Sequence, residues 1–351
     1  FHRLTTLWLD IEAEKMIPSP PMSTTSLKNE NSPSLSVARY RFHFSADSPF
    51  ESRGFQGSAW RGALGHALRK TVCVTRERVC EQCILYESCI YPYIFETPPP
   101  KNSELMRLYH TVPHPYVLQL PFPGIESQTS KGMVTLGLVL IGKAQQQLPY
   151  LIHALQRAGL KGIGPKRTLL KLEKVEQSSY PGESGWQTIF RPEQKLQDQG
   201  EANPRSPTLN GKIEITLLTP FRTKRQGHLL TPEYFTFSSF FSPLLRRVAM
   251  LQNFHGERVV VESNETVDFY QLTEQSREVD VSNKDIHWKE WTRYSSRQGT
   301  KMQMGGVVGT FEILAEQIAP LQEWLWIGQW THNGKAATMG LGRYLMKEIS
   351  Q

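Results

Sequence analysis

The sequence has no run of eighteen apolar residues; its longest apolar stretches, Met133 to Ile141 and Leu321 to Trp330, are short or interrupted, which excludes a membrane-crossing helix. It also lacks a cleavage-like small-residue motif near its start, where Asp10 and Glu14 intervene, so the first residues do not read as a secretory signal. A cytoplasmic location and no membrane partner are expected. The chain begins on Phe1, and Met16 or Met22 reads as the natural start, with residues 1–15 an upstream extension. Cysteine is scarce, four in 351 residues, and in a cytoplasmic chain disulfides are the weaker use for them. Acidic residues are outnumbered, 33 against 40 Lys and Arg, and the formal charge of +7 favours a polyanionic partner through attraction to phosphate.

The length accommodates two domains at roughly 150 residues each. Residues 1–36 end in a Ser-, Pro- and Asn-rich stretch without periodicity and are expected to form a disordered leader. A second polar stretch, 178–210, reads as a linker between an N-terminal domain, 37–177, and a C-terminal domain, 211–351. In the first, Tyr40, Phe42 and Phe44 alternate with Arg39, Arg41 and His43, as a strand with one basic face requires. Trp60, Leu64 and Leu68 then recur at helical spacing. Strands at Tyr116 to Leu120 and Gly132 to Ile141, a helix from Gln146 to Ala158 and a strand at Thr168 to Val175 complete a βαββαβ order. The second half repeats it: a strand at Lys212 to Leu218, a helix starting at Thr231-Pro232 and running toward Phe254, strands near Val259 and from Met302 to Ile313, a helix from Glu316 to Trp326 and a last strand around Leu341 to Met346. Two tandem copies of one α+β unit are the economical reading.

All four cysteines fall within seventeen residues, as Cys73-x6-Cys80-x2-Cys83-x5-Cys89, inside an expected insertion at 73–97. The x2 pair forms a knuckle whose sulfurs point at one ion, so four thiolates at this spacing match a structural zinc; reduced, unliganded cysteines are the alternative. No ligand position is left for catalysis, so the metal would brace the insertion and no catalytic cofactor is expected.

On the first helix His66 and Lys70 sit one turn apart, opposite Trp60, Leu64 and Leu68, beside a stripe of Arg61, Gly65 and Arg69. An imidazole there can deprotonate a 2′-hydroxyl or protonate a 5′-oxygen leaving group, while the cations stabilise charge on a phosphorane. A solvated histidine on a basic helix face is the bland alternative. Gly62 and Gly65 cost about 1 kcal/mol each against Ala in a helix, which points to close approach by another backbone. His43, on the basic face of the first strand with Arg39 and Arg41, is the second candidate for proton transfer, or else one polar residue of an exposed strand. Each half ends in a glycine turn with basic residues, Gly162-Ile-Gly164-Pro-Lys166-Arg167 and Gly334-Lys335 through Gly340-Leu-Gly342-Arg343. Such glycines let amides approach phosphates, with Lys335 and Arg343 supplying charge. The second turn lacks the spacing of a nucleotide-binding loop. His332 and His255 read as positioning residues.

Trp60-Arg-Gly-Ala-Leu-Gly-His66-Ala-Leu-Arg69, the cysteine insertion ending in Pro92-Tyr-Ile-Phe95-Glu96, and Gly340-Leu-Gly342-Arg343-Tyr344 together resemble the sixth Cas protein family, in its zinc-bearing branch within the RAMP superfamily. Pro243-Leu-Leu-Arg246-Arg247 and Trp291-x-Arg293-Tyr294 add to the likeness, which spans about residues 37 to 346. The resemblance implies two ferredoxin-like domains and a prokaryotic, cytoplasmic endoribonuclease that processes CRISPR repeat RNA into guides, leaving a 2′,3′-cyclic phosphate and a 5′-hydroxyl. The family commonly uses a histidine near the first helix, a position that His66 matches. A non-cleaving RNA-binding subunit of a CRISPR effector complex is the alternative that the same residues allow.

Overall fold

The structure is a computed structural model; it describes residues 32–50, 56–100, 111–120, 132–164, 166–178, 180, 185–197, 204–256, 267–295 and 300–349. The period-two run produces β1 (Val37–Ala46), flanked by β3 (Met133–Ile141) and β4 (Leu170–Ser178), with β2 (Tyr116–Gln119) outside β3 and β5 (Gln187–Phe190) outside β4. Every pairing in this sheet is antiparallel, and the order is β2-β3-β1-β4-β5. Helices α1 (Gly57–Val72) and α2 (Leu148–Leu160) cover one face. Phe42 and Phe44 of β1 pack with Trp60 and Leu64 of α1 and with Leu151 and Leu155 of α2, all inaccessible to solvent. Burial of side chains this size stabilises by about 1.5–3 kcal/mol each, which commits both helices to that face and turns their basic stripe outward.

The second half contains β6 (Lys212–Phe221), the hairpin β7 (Lys224–Arg225) and β8 (His228–Leu229), α3 (Phe237–His255), α4 (Phe269–Gln275), β9 (Ser282–Lys289), the hairpin β10 (Thr292–Ser295) and β11 (Thr300–Gln303), β12 (Gly306–Leu314), α5 (Gln322–Thr331) and β13 (Tyr344–Ile349). Its sheet order, β13-β6-β12-β9, places the four main strands as β4-β1-β3-β2 are placed in the first half. The α+β reading and the antiparallel sheets therefore hold. Among the described residues no helix is long and apolar enough to cross a membrane.

Three sequence expectations are corrected. The leader ends too late at residue 36: Leu35 is 2% exposed in the core, and the Ser36 carbonyl accepts from Gly142 N. Residues 1–31 lie outside the described residues. The 178–210 stretch is not all linker, because Ile189 is buried and β5 extends the first sheet. Thr231-Pro232 starts only a 3-10 turn, Pro232–Tyr234; the long helix starts after Thr236, whose side chain accepts from Ser239 N while the Ser239 side chain accepts from Thr236 N. The strand expected at Val259 lies outside the described residues.

The halves interlock. Val37, Val117, Val139 and Ile141, on the other face of the first sheet, join the core built around α3 and α5. In return Leu341, from the C-terminal glycine turn, and Met304 enter the core of the first half.

Candidate functional site

The amphipathic spacing of α1 places His66 and Lys70 on its exposed face. They line a crevice of about 600 Å³ with Arg69, Arg76, Arg78 and Arg157; among the described residues Glu77 is the one acidic residue on its wall, and Cys73 also lines it. Arg69 Nη2 donates to the carbonyls of Glu77 (2.6 Å) and Arg78 (2.8 Å), which pins the loop after α1 against the helix. Partial burial, then the charges of Lys70, Lys161 and Arg167, lowers the His66 pKa from its ordinary 6.5. The imidazole is therefore neutral near pH 7 and able to accept a proton. The positive charge of Lys70 beside it lowers the Lys161 pKa.

His43 is not brought to this crevice. It lies on the opposite face of the sheet, where Nε2 donates to Glu176 Oε2 at 2.7 Å and Lys174 pairs with the same carboxylate. Burial lowers its pKa more than Glu176 raises it. The basic face of β1 is also less open than its pattern implies. Arg39 is 3% exposed and its Nε donates to Gln119 Oε1 at 2.8 Å, and Arg39 and Arg41 stack on Trp186 at 4.9 and 4.0 Å from the ring centroid. Arg61 lies 4.4 Å over the Phe95 ring and contacts His114 Nε2. Phe95 also explains one helix glycine. A Cβ on Gly65 would meet the ring at 2.3 Å, so an aromatic side chain makes the close approach expected of a backbone, while nothing lies within 4 Å of a Cβ on Gly62.

Lys166 and Arg167 are exposed beside the first glycine turn, and Lys335 is exposed beside the second. The second turn is otherwise spent internally, which corrects the expectation that Gly340 and Gly342 present amides to phosphate. Gly340 N bonds Ala337 O and Gly342 N bonds Pro220 O. Gly342 takes φ +70, and a Cβ there would sit 1.7 Å from Asn333 O. Arg343 is 8% exposed, with its backbone tied to Leu218 and Thr219.

Cys73, Cys80, Cys83 and Cys89 all line one small cavity with Tyr86 and Tyr91, and Cys83 N bonds Cys80 O in the expected knuckle. The thiols do not close into a cage: Cys83 Sγ contacts Thr75 Oγ1 at 3.2 Å, and among the described residues no three His, Cys, Asp or Glu side chains are gathered to share an ion. Burial, then Glu96, pushes the Cys80 thiol up to about 11. The backbone brings the four residues to one cavity; side-chain rotation is needed for them to converge.

Sequence reasoning missed Arg76, Arg78, Arg157 and Lys161, which come from the cysteine loop and the end of α2 and meet α1 only in the fold. It also missed a buried polar seam between the halves. Arg39 donates to Gln119, Gln119 Nε2 donates to His332 Nε2 (3.1 Å), and His332 Nδ1 donates to Leu341 O (3.2 Å). His255 Nε2 donates to Pro113 O at 2.7 Å. His114 accepts from Arg61 through Nε2 and bonds Thr97 Oγ1 through Nδ1. Each imidazole is thus held neutral. Burial first, and then neighbouring cations that include Arg247, lowers His114 to about 3, His255 to about 4 and His332 well below 6.5.

The strand order of both halves is that of ferredoxin-like α+β proteins. Residues 215–344 match the family model of the CRISPR-associated endoribonuclease Cas6. Residues 35–202 match a model described only as an N-terminal domain. An uncharacterized protein of Archaeoglobus fulgidus is 25% identical over 298 residues, covering 84% of this chain and 92% of the relative. Among solved structures, the Cas6 of Thermus thermophilus in a product complex aligns over 89% of this chain and 100% of its own at 16% identity, with a TM-score of 0.52. A partial Cas6-RT-Cas1–Cas2 complex aligns over 91% of this chain and 47% of its own at 12% identity and a TM-score of 0.54. Both likenesses are of fold.

Proposed function

We propose that the protein is a Cas6-type endoribonuclease that cuts CRISPR repeat RNA at the His66 crevice without metal-ion chemistry. The match to the Cas6 family model over 215–344 supports the substrate class. The observation that carries the site is a neutral-leaning imidazole one helical turn from Lys70 in a crevice walled by arginines. His66 takes the proton of a 2′-hydroxyl, the resulting alkoxide attacks the adjacent phosphorus, and the 5′-oxygen leaves with a proton returned by the imidazolium or water. The products are a 2′,3′-cyclic phosphate and a 5′-hydroxyl. Lys70, with Arg76, Arg78 and Arg157 around it, stabilises the charge that grows on the phosphorane. Lys166, Arg167 and Lys335 are further contacts for the RNA backbone.

The test is cleavage of the neighbouring repeat transcript in chelator with the ends mapped. A single cut giving a cyclic phosphate is expected, and His66→Ala should lower the single-turnover rate by roughly 100-fold or more, the range of general acid–base catalysis, with RNA affinity retained. Binding without any cleavage by the wild type would make the protein a non-cleaving RNA-binding subunit; cutting only with added magnesium would overturn the mechanism.

The four cysteines are proposed to hold a structural zinc. Their shared cavity supports this, and the open thiol arrangement means the ion would draw the loop closed. Metal analysis of the purified protein should find one zinc per chain, lost in Cys80→Ser/Cys83→Ser; a metal-free wild type with four freely titrating thiols would sink the assignment.

A further inference from the structure

The second half carries a cationic groove of its own, separate from the His66 crevice. The tip of the β7–β8 hairpin, Gln226-Gly227, takes positive φ at both positions (49 and 85) and makes a tight turn. Next to it Lys224 and Arg225 meet the first turn of α3. With Arg246 from α3 and Arg277 after α4 they line an open groove of about 640 Å³ whose lining, among the described residues, contains no acidic residue. All four cations are exposed. Arg277 pairs with Glu274 at 2.6 Å; among the described residues the side chains of Lys224, Arg225 and Arg246 have no ion-pair or hydrogen-bond partner. Beneath the groove Phe237 and Val279 are buried in the core, 1% and 7% exposed.

The walls also present donors. Ser276 is fully buried and its hydroxyl donates to Thr273 O at 2.6 Å, so Ser238 must supply the proton of the 3.0 Å Ser238–Ser276 contact. With that proton spent, the 3.4 Å Ser238–Ser242 contact takes its proton from Ser242. At the start of α3 the Thr236 side chain takes the Ser239 amide and the Thr236 carbonyl takes the Phe240 amide. The Phe237 and Ser238 amides remain at the positive end of a nineteen-residue helix.

Three cations without an ion-pair partner among the described residues, beside open helix amides, suit a ligand with repeated negative charge. One phosphate needs fewer cations, and a membrane surface would need the apolar residues exposed. We propose that this groove is a second anchoring site for RNA, holding consecutive phosphates of a single strand outside the scissile crevice. The inference rests on the reading of the protein as an RNA-binding one, and it predicts that each half contributes its own share of the affinity.

The probe is the repeat RNA carrying 2′-O-methyl groups throughout, which blocks cleavage, with binding read by fluorescence anisotropy across a salt series. Lys224→Ala/Arg225→Ala/Arg246→Ala, with an unchanged thermal melt as the fold control, should raise Kd by roughly 10-fold or more and flatten the slope of log affinity against log salt by about 2, near 0.7 for each lost contact on a single strand. An unchanged Kd and slope would overturn the groove while leaving the cleavage reading intact. If the wild type binds the probe, fails to cut unmodified repeat RNA, and the triple variant still loses slope, the cleavage reading fails and the groove stands.

Discussion

His66 sits among like charges, and on the proposed mechanism that placement would set its working range. Because burial and the neighbouring cations lower its pKa below 6.5, the acidic limb of the single-turnover cleavage profile should have its midpoint below that value. Lys70→Met removes one of those cations and should move the limb upward while slowing the plateau; a limb that stays put would separate Lys70 from the imidazole. At Gly65 the constraint is steric, since a Cβ would enter the Phe95 ring, itself stacked on Tyr91 and Tyr116. Gly65→Ala should therefore destabilise by about 1–3 kcal/mol, as overpacking does, whereas Gly62→Ala should not destabilise; thermal melts compare them. The outward placement of His66 and Lys70 was legible because helical periodicity assigns a face. Period two likewise assigned Arg39 to a face of β1, but could not say that Trp186 and the second half would cover it.

Secondary-structure elements were legible where apolar spacing was strong and misplaced where two signals competed. Thr231-Pro232 reads as the helix start, while the capping box that starts the long helix in the structure lies five residues on, at Thr236 and Ser239. Phe235 and Phe237, 3% and 1% exposed, decide between them, because burying both breaks the chain into a 3-10 turn followed by the long helix. Thr236→Ala should cost about 1 kcal/mol through loss of the cap, seen as a lower urea midpoint. Thr231 Oγ1 is buried without a partner, so Thr231→Ala should leave that midpoint unchanged or raise it. Strand β9 escaped sequence reading for a related reason: most of Ser282–Lys289 is exposed on this edge strand, so it carries little apolar alternation.

At the scale of the molecule the seam histidines link stability to acidity. His114, His255 and His332 are neutral when folded and have pKa values lowered from 6.5, so the unfolded chain binds more protons below that pH. Their contribution is present above pH 6.5 and is lost as pH falls toward the folded values, each by up to about 1.4 kcal/mol per pH unit. Urea midpoints should be flat from about pH 8 to 7 and drop steeply below about 6; a flat profile down to pH 5 would show the histidines are not shielded in this way. The sequence could not announce this seam, since its members are scattered from Arg39 to Arg343 and meet only when the halves dock.

The exchange of Leu341 and Met304 for Val37, Val117, Val139 and Ile141 means that neither repeat owns a complete interior. Separated copies would each lack a plug and carry an uncovered apolar patch, so cutting the gene at the polar stretch should yield two sticky fragments instead of two working modules.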